Sequence, residues 1–217
     1  KKNLPKKADS FFYESKRRRI LKRLLLNLLV FIFLSVSGCG FTAKKPAKVQ
    51  FLGMGTFFSI TVYDNSFDKN IFNICINRVR ELENKGNLFS QDSEISNINK
   101  LAVKEWIAVS NDMAFIISTA IEAAVITDGA FDITIKPLID FYKIKTDEEK
   151  KSIFPNKTLM GQVGYENILF NSKDRKVFLK NKAQIDLSGI IKGYAVDEIV
   201  KILKKYNVQK ALVNGGG

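Results

Sequence analysis

The sequence predicts an α+β fold, because segments with strand and helix periodicity are interspersed along residues 49–217. Two stretches, 49–63 and 168–179, have the alternation and turn residues of β-hairpins. Apolar residues recur at helical spacing in 68–83 and 110–127. A chain of 217 residues fits one such domain with appendages.

Glycines and capping residues set the expected boundaries in the first half of this domain. The glycines on either side of Met54 interrupt the first strand run, which predicts either a strand or a bent hairpin at 49–63. Asp92 or Ser93 can cap a short helix that reaches residue 99. Ser110 can cap a longer helix, which ends where an Asp-Gly pair follows residue 127.

The second half is expected to alternate between extended and helical pieces. Residues 104–109 predict a strand, and 131–138 predict an extended segment that ends near Pro137. Residues 158–163 predict a short helix. A hairpin follows, with the run NSKDR in its turn.

The stretch 184–217 carries the clearest functional signal. It predicts a short strand that ends at Asp186, a turn with Ser188 and Gly189, an amphipathic helix, and a last strand that runs into three glycines. Free N–H groups and the positive end of a helix dipole at such a turn attract phosphate, and Lys192 adds a cation. A carboxylate beside a phosphate also favours a bridging divalent cation. The alternative is a plain strand–turn–helix with a solvated lysine.

The charge distribution argues against a nucleic-acid partner. Of the net charge of +13, residues 1–38 hold +8, from ten Lys and Arg against two Asp and Glu, which leaves +5 for the rest. No basic stripe with interleaved aromatic residues occurs there. The chain contains no histidine, which excludes histidine acid–base catalysis and imidazole zinc sites within this sequence.

The N-terminal segment resembles a bacterial lipoprotein signal. A basic run at 16–23 precedes a short apolar run, and SVSGC at 35–39 is similar to a lipobox. The resemblance implies cleavage before Cys39 and acylation of its sulfur, which would hold the protein on the extracytoplasmic face of a membrane. The alternative is a transmembrane anchor or an uncleaved signal. The expected organisation is therefore a signal at 1–38, a lipidated tether at 39–48 and a domain at 49–217.

Four segments in order, together with the final glycines, carry a resemblance to a known family. They are GMGTF at 53–57, SQDSEISNIN at 90–99, TDGAFDITIKPL at 127–138, and IDLSGIIKGYAVD at 185–197 followed by LVNGGG. They resemble the FAD:protein FMN transferase family. The resemblance implies a T-fold-like mixed sheet and magnesium-dependent transfer of FMN from FAD to a threonine of an exported redox protein, with AMP as the leaving group.

The resemblance also implies a set of site residues. Those that would contact FAD are Met54, Ala130, Phe131, Asp132, Asp186 and Lys192. Gly189 matches a magnesium-ligand position, where it can supply only its carbonyl oxygen. Met54 is equally well explained as a filler between two glycines, and Asp132 as a local turn residue. No catalytic residue is assigned.

The family continues past its triple glycine with acidic and threonine metal ligands and a histidine in an acid–base role. We therefore expect this chain to be incomplete at its C-terminus. Three alternatives to the transferase stay open: an inactive FAD-binding lipoprotein fragment, a magnesium-dependent FAD pyrophosphatase, and a structural envelope lipoprotein.

Overall fold

The structure, a computed structural model, describes the residues 17, 21–25, 27, 45–64, 66–143, 145–146, 149–150 and 153–216. Contacts divide the chain into a unit at 1–44 and a unit at 45–217, and the second is an α+β domain. Cys39 and most of the predicted signal lie outside the described residues. None of the described helices combines the length and apolar character needed to cross a membrane.

The larger sheet confirms the first predicted hairpin. Strand β1 (Ala47–Gly53) pairs antiparallel with β2 (Thr56–Val62), so the chain reverses over two residues between Gly53 and Thr56. Strand β6 (Ala211–Gly215), which runs into the terminal glycines, adds antiparallel to the other side of β2. The order of this sheet is β1-β2-β6.

A smaller antiparallel sheet contains the second predicted hairpin. Strands β4 (Ile168–Asn171) and β5 (Lys176–Leu179) pair around the NSKDR turn, and the two-residue strand β3 (Ile107–Ala108) lies beside β5. The strand predicted at 104–109 is therefore much shorter. Its first residues belong to a turn that closes on Leu101, whose carbonyl accepts from the N–H groups of Lys104 and Glu105.

Local capping signals place the helices largely as expected. The side chain of Ser93 accepts from the N–H of Ser96 at 3.2 Å, and that of Ser110 accepts from the N–H of Met113 at 3.3 Å. The helices whose bounds lie within the described residues are, in chain order, α1 (Asn70–Gly86), α2 (Glu94–Leu101), α3 (Asn111–Ile126), α4 (Lys136–Lys143), α5 (Lys157–Met160) and α6 (Ile191–Lys205).

The prediction of an extended segment at 131–138 is wrong. A 3₁₀ turn at Ile133–Ile135 leads directly into α4. Asp132 caps that turn through its side chain. Pro137 lies in the first turn of α4, where a missing N–H removes no helical hydrogen bond.

The strand predicted before Asp186 is also absent from the described chain. Residues 183–187 belong to neither sheet. The N–H of Ile185 bonds to the side chain of Asn99, and the N–H of Asp186 bonds to the carbonyl of Ile133. The apolar alternation here marks a buried segment, with Ile185 and Leu187 facing the core, and not a strand in a ladder.

One hydrophobic core joins the larger sheet to α1 and α6. Its fully buried side chains include Phe58 and Ile60 from β2, Leu82 from α1 and Ile199 from α6. Cys75, which lies on the buried face of α1, also belongs to this core. Burial raises the pKa of the Cys75 thiol to about 11, so this thiol is a packing group.

Two glycines give opposite expectations for the same substitution. A methyl group on Gly215 would lie 2.6 Å from Cγ2 of Val196 and 2.8 Å from Cε1 of buried Phe58. We expect Gly215→Ala to lower the free energy of unfolding by about 1–3 kcal/mol, the usual effect of overpacking a core. Gly193 lies inside α6 with nothing within 4 Å of such a methyl group. We expect Gly193→Ala to raise the same free energy by about 1 kcal/mol or less.

Urea denaturation of both variants checks this pair of expectations. The account of β6 packing against α6 would be wrong if Gly215→Ala were as stable as the parent chain.

Candidate functional site

A cavity of about 470 Å³ lies where the β1–β2 turn, the end of α1 and the start of α6 meet. Three predicted FAD contacts, which are distant in sequence, line it together: Met54, Asp186 and Lys192. A volume of this size is in the range of small-molecule sites. The lining also includes Glu83, Phe89 and Ser188.

The β1–β2 turn brings Met54 to the cavity in a strained conformation. Met54 and Gly55 have φ angles of 51° and 72°, as a two-residue hairpin turn with two left-handed positions requires. A left-handed conformation costs a residue with a Cβ atom roughly 1–2 kcal/mol. The N–H of Met54 donates to Oε1 of Glu83 at 2.7 Å, so α1 holds the tip of this turn. Strain of this kind often accompanies ligand contacts.

The turn before α6 is organised by Asp186. Its Oδ1 accepts from the backbone N–H of Ser188 at 2.8 Å and from the Ser188 hydroxyl, which is an Asx-type turn. The N–H of Asp186 donates to the carbonyl of Ile133 at 2.7 Å. These bonds fix the chain direction immediately before α6 begins at Ile191.

The start of α6 supplies positive potential to the cavity. No described side chain caps the first N–H groups of this helix. The first turn of a helix carries part of its dipole as positive charge. Lys192 lies in this first turn and lines the cavity. Together they favour an anionic ligand such as a diphosphate.

The predicted segment 130–132 lies beside the Asp186 turn but outside the lining of the cavity as the described residues define it. A methyl group on Gly189 would lie 3.2 Å from the Phe131 ring, so this ring lies close to the Asp186 turn and leaves little room for a side chain at Gly189. Asp132 uses Oδ1 to accept from the N–H and the hydroxyl of Thr134, both at 2.7 Å. That carboxylate therefore has the local turn role given above as its alternative. Ala130 is exposed at the end of the turn after α3.

Two further residues, Glu83 and Phe89, line the cavity beside the predicted contacts. Glu83 lies near the end of an amphipathic helix, where a charged residue usually faces solvent, so its bond to Met54 has no local signal. The side chain of Phe89 is 88% exposed at the cavity, and Nζ of Lys143 lies 5.3 Å from its ring centroid. An exposed aromatic ring beside a cavity is suited to contact with a planar ligand.

The donor atoms for magnesium are limited to a few oxygens. The described residues include no group of three or more His, Cys, Asp or Glu side chains arranged for a metal. Mg²⁺ is commonly held by one or two carboxylates with water and substrate phosphates. The Asp186 carboxylate lines the cavity and is a donor of this type, so it fits a cation shared with a bound diphosphate, whereas the predicted ligand Gly189 lies three residues further along the chain and outside the described lining.

A family model, curated relatives and solved structures all indicate the same protein family. The model of the ApbE family matches residues 54–217. The FAD:protein FMN transferase of Haemophilus influenzae is 27% identical in a match that covers 91% of this chain and 60% of that protein. The chain thus spans little more than half the length of the relatives it matches.

Solved structures agree on the fold. The crystal structure of the ApbE protein from Thermotoga maritima superposes with a TM-score of 0.68 at 27% identity, over 80% of this chain and 57% of that one. The flavin transferase ApbE from Vibrio cholerae gives a TM-score of 0.68 at 22% identity, over 79% and 58%. The predicted α+β fold of this family is therefore confirmed.

Proposed function

This chain belongs to the ApbE family, and we propose that it acts in the transfer of FMN from FAD to a threonine hydroxyl of an exported acceptor protein. The main observation behind the proposal is that Met54, Asp186 and Lys192 line one cavity at the start of α6. Relatives named FAD:protein FMN transferase support the reaction class. The same names support FAD as the substrate.

The chemistry is a phosphoryl transfer. The threonine oxygen forms a bond to the phosphorus of the FMN half of FAD, the bond from that phosphorus to the bridging oxygen breaks, and AMP leaves with that oxygen. The hydroxyl proton is lost to a base or to water. Magnesium, held by Asp186 and the carbonyl of Gly189, would supply positive charge to the diphosphate.

The residues of this chain contribute binding and orientation. Lys192 and the N–H groups at the start of α6 neutralise the diphosphate, and the charge that AMP gains on leaving is stabilised by the same groups. Met54 and Phe89 offer apolar surface to the rings of the nucleotide. Ala130, Phe131 and Asp132 are kept as the FAD contacts that the family resemblance implies, beside the residues that line the cavity.

The direct test combines the chain with FAD, Mg²⁺ and a threonine-containing acceptor peptide. Mass spectrometry should find FMN on the acceptor and free AMP in equal amounts, and neither with an acceptor whose threonine is replaced by alanine. Free FMN and AMP without modified acceptor would replace the proposal with a pyrophosphatase. Intact bound FAD would indicate a binding protein, and no flavin binding at all would favour a structural lipoprotein.

Replacing Met54 by glycine should affect the stability of the fold and its affinity for FAD in opposite directions. Glycine adopts a φ of 51° without strain, so we expect Met54→Gly to hold or raise the free energy of unfolding, by up to about 1 kcal/mol. It should also weaken FAD binding, because the apolar contact is lost. Lys182, with a φ of 59°, is the matched control. Lys182→Gly should relieve similar strain and leave FAD affinity unchanged, and weaker binding in both variants would contradict the role of Met54.

We also propose that Cys39 is acylated and anchors the domain to a membrane on its extracytoplasmic face. The support is the basic run, apolar run and SVSGC sequence that precede the domain. Expressed in bacteria fed labelled palmitate, the chain should incorporate label and sediment with membranes. Cys39→Ser should lose the label, and an equally labelled variant would refute acylation at this residue.

A further inference from the structure

Asn99 connects α2 to the Asp186 turn through the backbone of one residue. Its Nδ2 donates to the carbonyl of Ile185 at 2.9 Å, and its Oδ1 accepts from the N–H of Ile185 at 2.7 Å. Asn99 is 9% exposed and Ile185 is fully buried. From this geometry we propose that Asn99 is a positioning residue for FAD binding, which acts by holding the Asp186 turn against the cavity.

The backbone of Ile185 depends on this contact. Residues 183–187 belong to neither sheet of the described chain, so no ladder satisfies the N–H and carbonyl of Ile185. A carboxamide offers one donor and one acceptor group in fixed geometry, which matches the two backbone groups of a single residue. Without it, two buried backbone groups would lack partners, at about 1–3 kcal/mol each.

The hydrogen bonds continue from Asn99 to the cavity. The residue after Ile185 is Asp186, whose N–H is held by the carbonyl of Ile133 and whose carboxylate is bonded to Ser188. Asp186 and Ser188 both line the cavity. A shift of Ile185 therefore moves both lining side chains, although Asn99 is not among the residues that line the cavity.

The chain offers a matched control in Asn167. It is 7% exposed, its Nδ2 donates to the carbonyl of Gly161 at 3.1 Å, and its Oδ1 accepts from Asn181 at 2.8 Å. Its partners, Gly161 and Asn181, do not belong to the cavity lining. Removing its side chain should therefore disturb stability without displacing the Asp186 turn.

The proposal rests on the proposed function, so its test needs one readout with FAD and one without. Asn99→Ala and Asn167→Ala are compared for FAD dissociation constant, corrected for the folded fraction, and for amide hydrogen exchange by mass spectrometry. We expect Asn99→Ala to weaken FAD binding by about tenfold or more and to speed exchange selectively in 183–190. Asn167→Ala should change the FAD dissociation constant by less than about twofold.

Each outcome has a defined meaning. Equal FAD affinities for the two variants at matched folded fraction would overturn the positioning role, as would faster exchange spread evenly over the domain after Asn99→Ala. If the parent chain binds no FAD, the proposed function fails, while local exchange at 183–190 still decides whether Asn99 positions the turn. If Asn99→Ala does not fold, Asn99→Asp, which keeps the acceptor for Ile185 and loses the donor, replaces it with the same criteria.

Discussion

Asp112→Ala is expected to lower the free energy of unfolding by about 3–5 kcal/mol, the usual effect of removing one partner from a buried ion pair. The Asp112 side chain is 11% exposed and accepts from three groups. Arg78 donates from both terminal nitrogens, Lys85 donates from Nζ at 2.6 Å, and the hydroxyl of Tyr194 donates at 2.8 Å.

This ion network joins three helices on one side of the core. Arg78 and Lys85 lie on α1, Asp112 lies in the first turn of α3, and Tyr194 lies on α6. Arg78 also donates to Oε2 of Glu198 on α6 at 3.0 and 2.8 Å. Because α6 also forms one wall of the cavity, loss of the network should loosen the helix that carries Lys192.

The pH dependence of stability provides a second readout for Asp112. Burial alone would raise the pKa of Asp112, but hydrogen bonds from Arg78, Lys85 and Tyr194 outweigh burial and hold that pKa well below its ordinary value of 3.8. A carboxylate with a depressed pKa stabilises the fold fully above its ordinary pKa and loses that contribution as the pH falls. We expect the parent chain to lose stability below about pH 4, with a steeper slope than Asp112→Ala.

Urea denaturation between about pH 2.5 and pH 7 measures both the free energy of unfolding lost in Asp112→Ala and its dependence on pH. The control is Glu122→Ala, an exposed carboxylate on the same helix, which should change the free energy of unfolding by less than about 0.5 kcal/mol. Similar losses for the two variants would show that the Asp112 network does not stabilise the fold.

Lys192→Met is expected to weaken FAD binding by about 10- to 100-fold while the fold is retained. A hydrogen bond to a charged group contributes about 1.5–3 kcal/mol, and each 1.4 kcal/mol is a factor of ten in affinity. Lys192 has no ion-pair partner among the described residues, and its methylene stem, which methionine imitates, can keep its packing. Affinity should be measured by flavin fluorescence over a range of salt concentrations.

Salt separates a specific contact from a general charge effect. The affinity of the parent chain should fall as salt rises, and that of Lys192→Met should fall less, because one cation at the diphosphate is gone. Lys204→Met removes the same charge from the exposed last turn of α6 and should leave affinity nearly unchanged. Equal weakening by both substitutions would mean that only the net charge of the helix matters.

Helix caps and turn residues could be predicted from the sequence, because they depend on interactions between residues close together in the chain. Ser93 and Ser110 cap their helices through their own side chains, and Gly55 suits one of the two left-handed positions of the β1–β2 turn. The prediction of an extended segment at 131–138 was wrong because the β-branched run Ile133–Ile135 indicated extended chain, while the cap at Asp132 and the position of Pro137 favoured a turn and a helix.

Long-range contacts of the candidate site had no local signal. The local turn pattern and the family resemblance both indicated Asp186 and Lys192, the resemblance alone indicated Met54, and the structure brings all three to one cavity. The bond of Glu83 to Met54 and those of Asn99 to Ile185 span 29 and 86 residues. Such pairs depend on how α1 and α2 pack, which the periodicity of a single segment does not specify.

The central claim is that FAD binds in the cavity between the β1–β2 turn and the start of α6. Titration of FAD, with Mg²⁺, into ¹⁵N-labelled protein followed by amide NMR tests it most directly. We predict saturable shifts of the Met54, Ser188 and Lys192 amides with one common dissociation constant. Shifts confined to residues away from this cavity, or no shifts at all, would contradict the account.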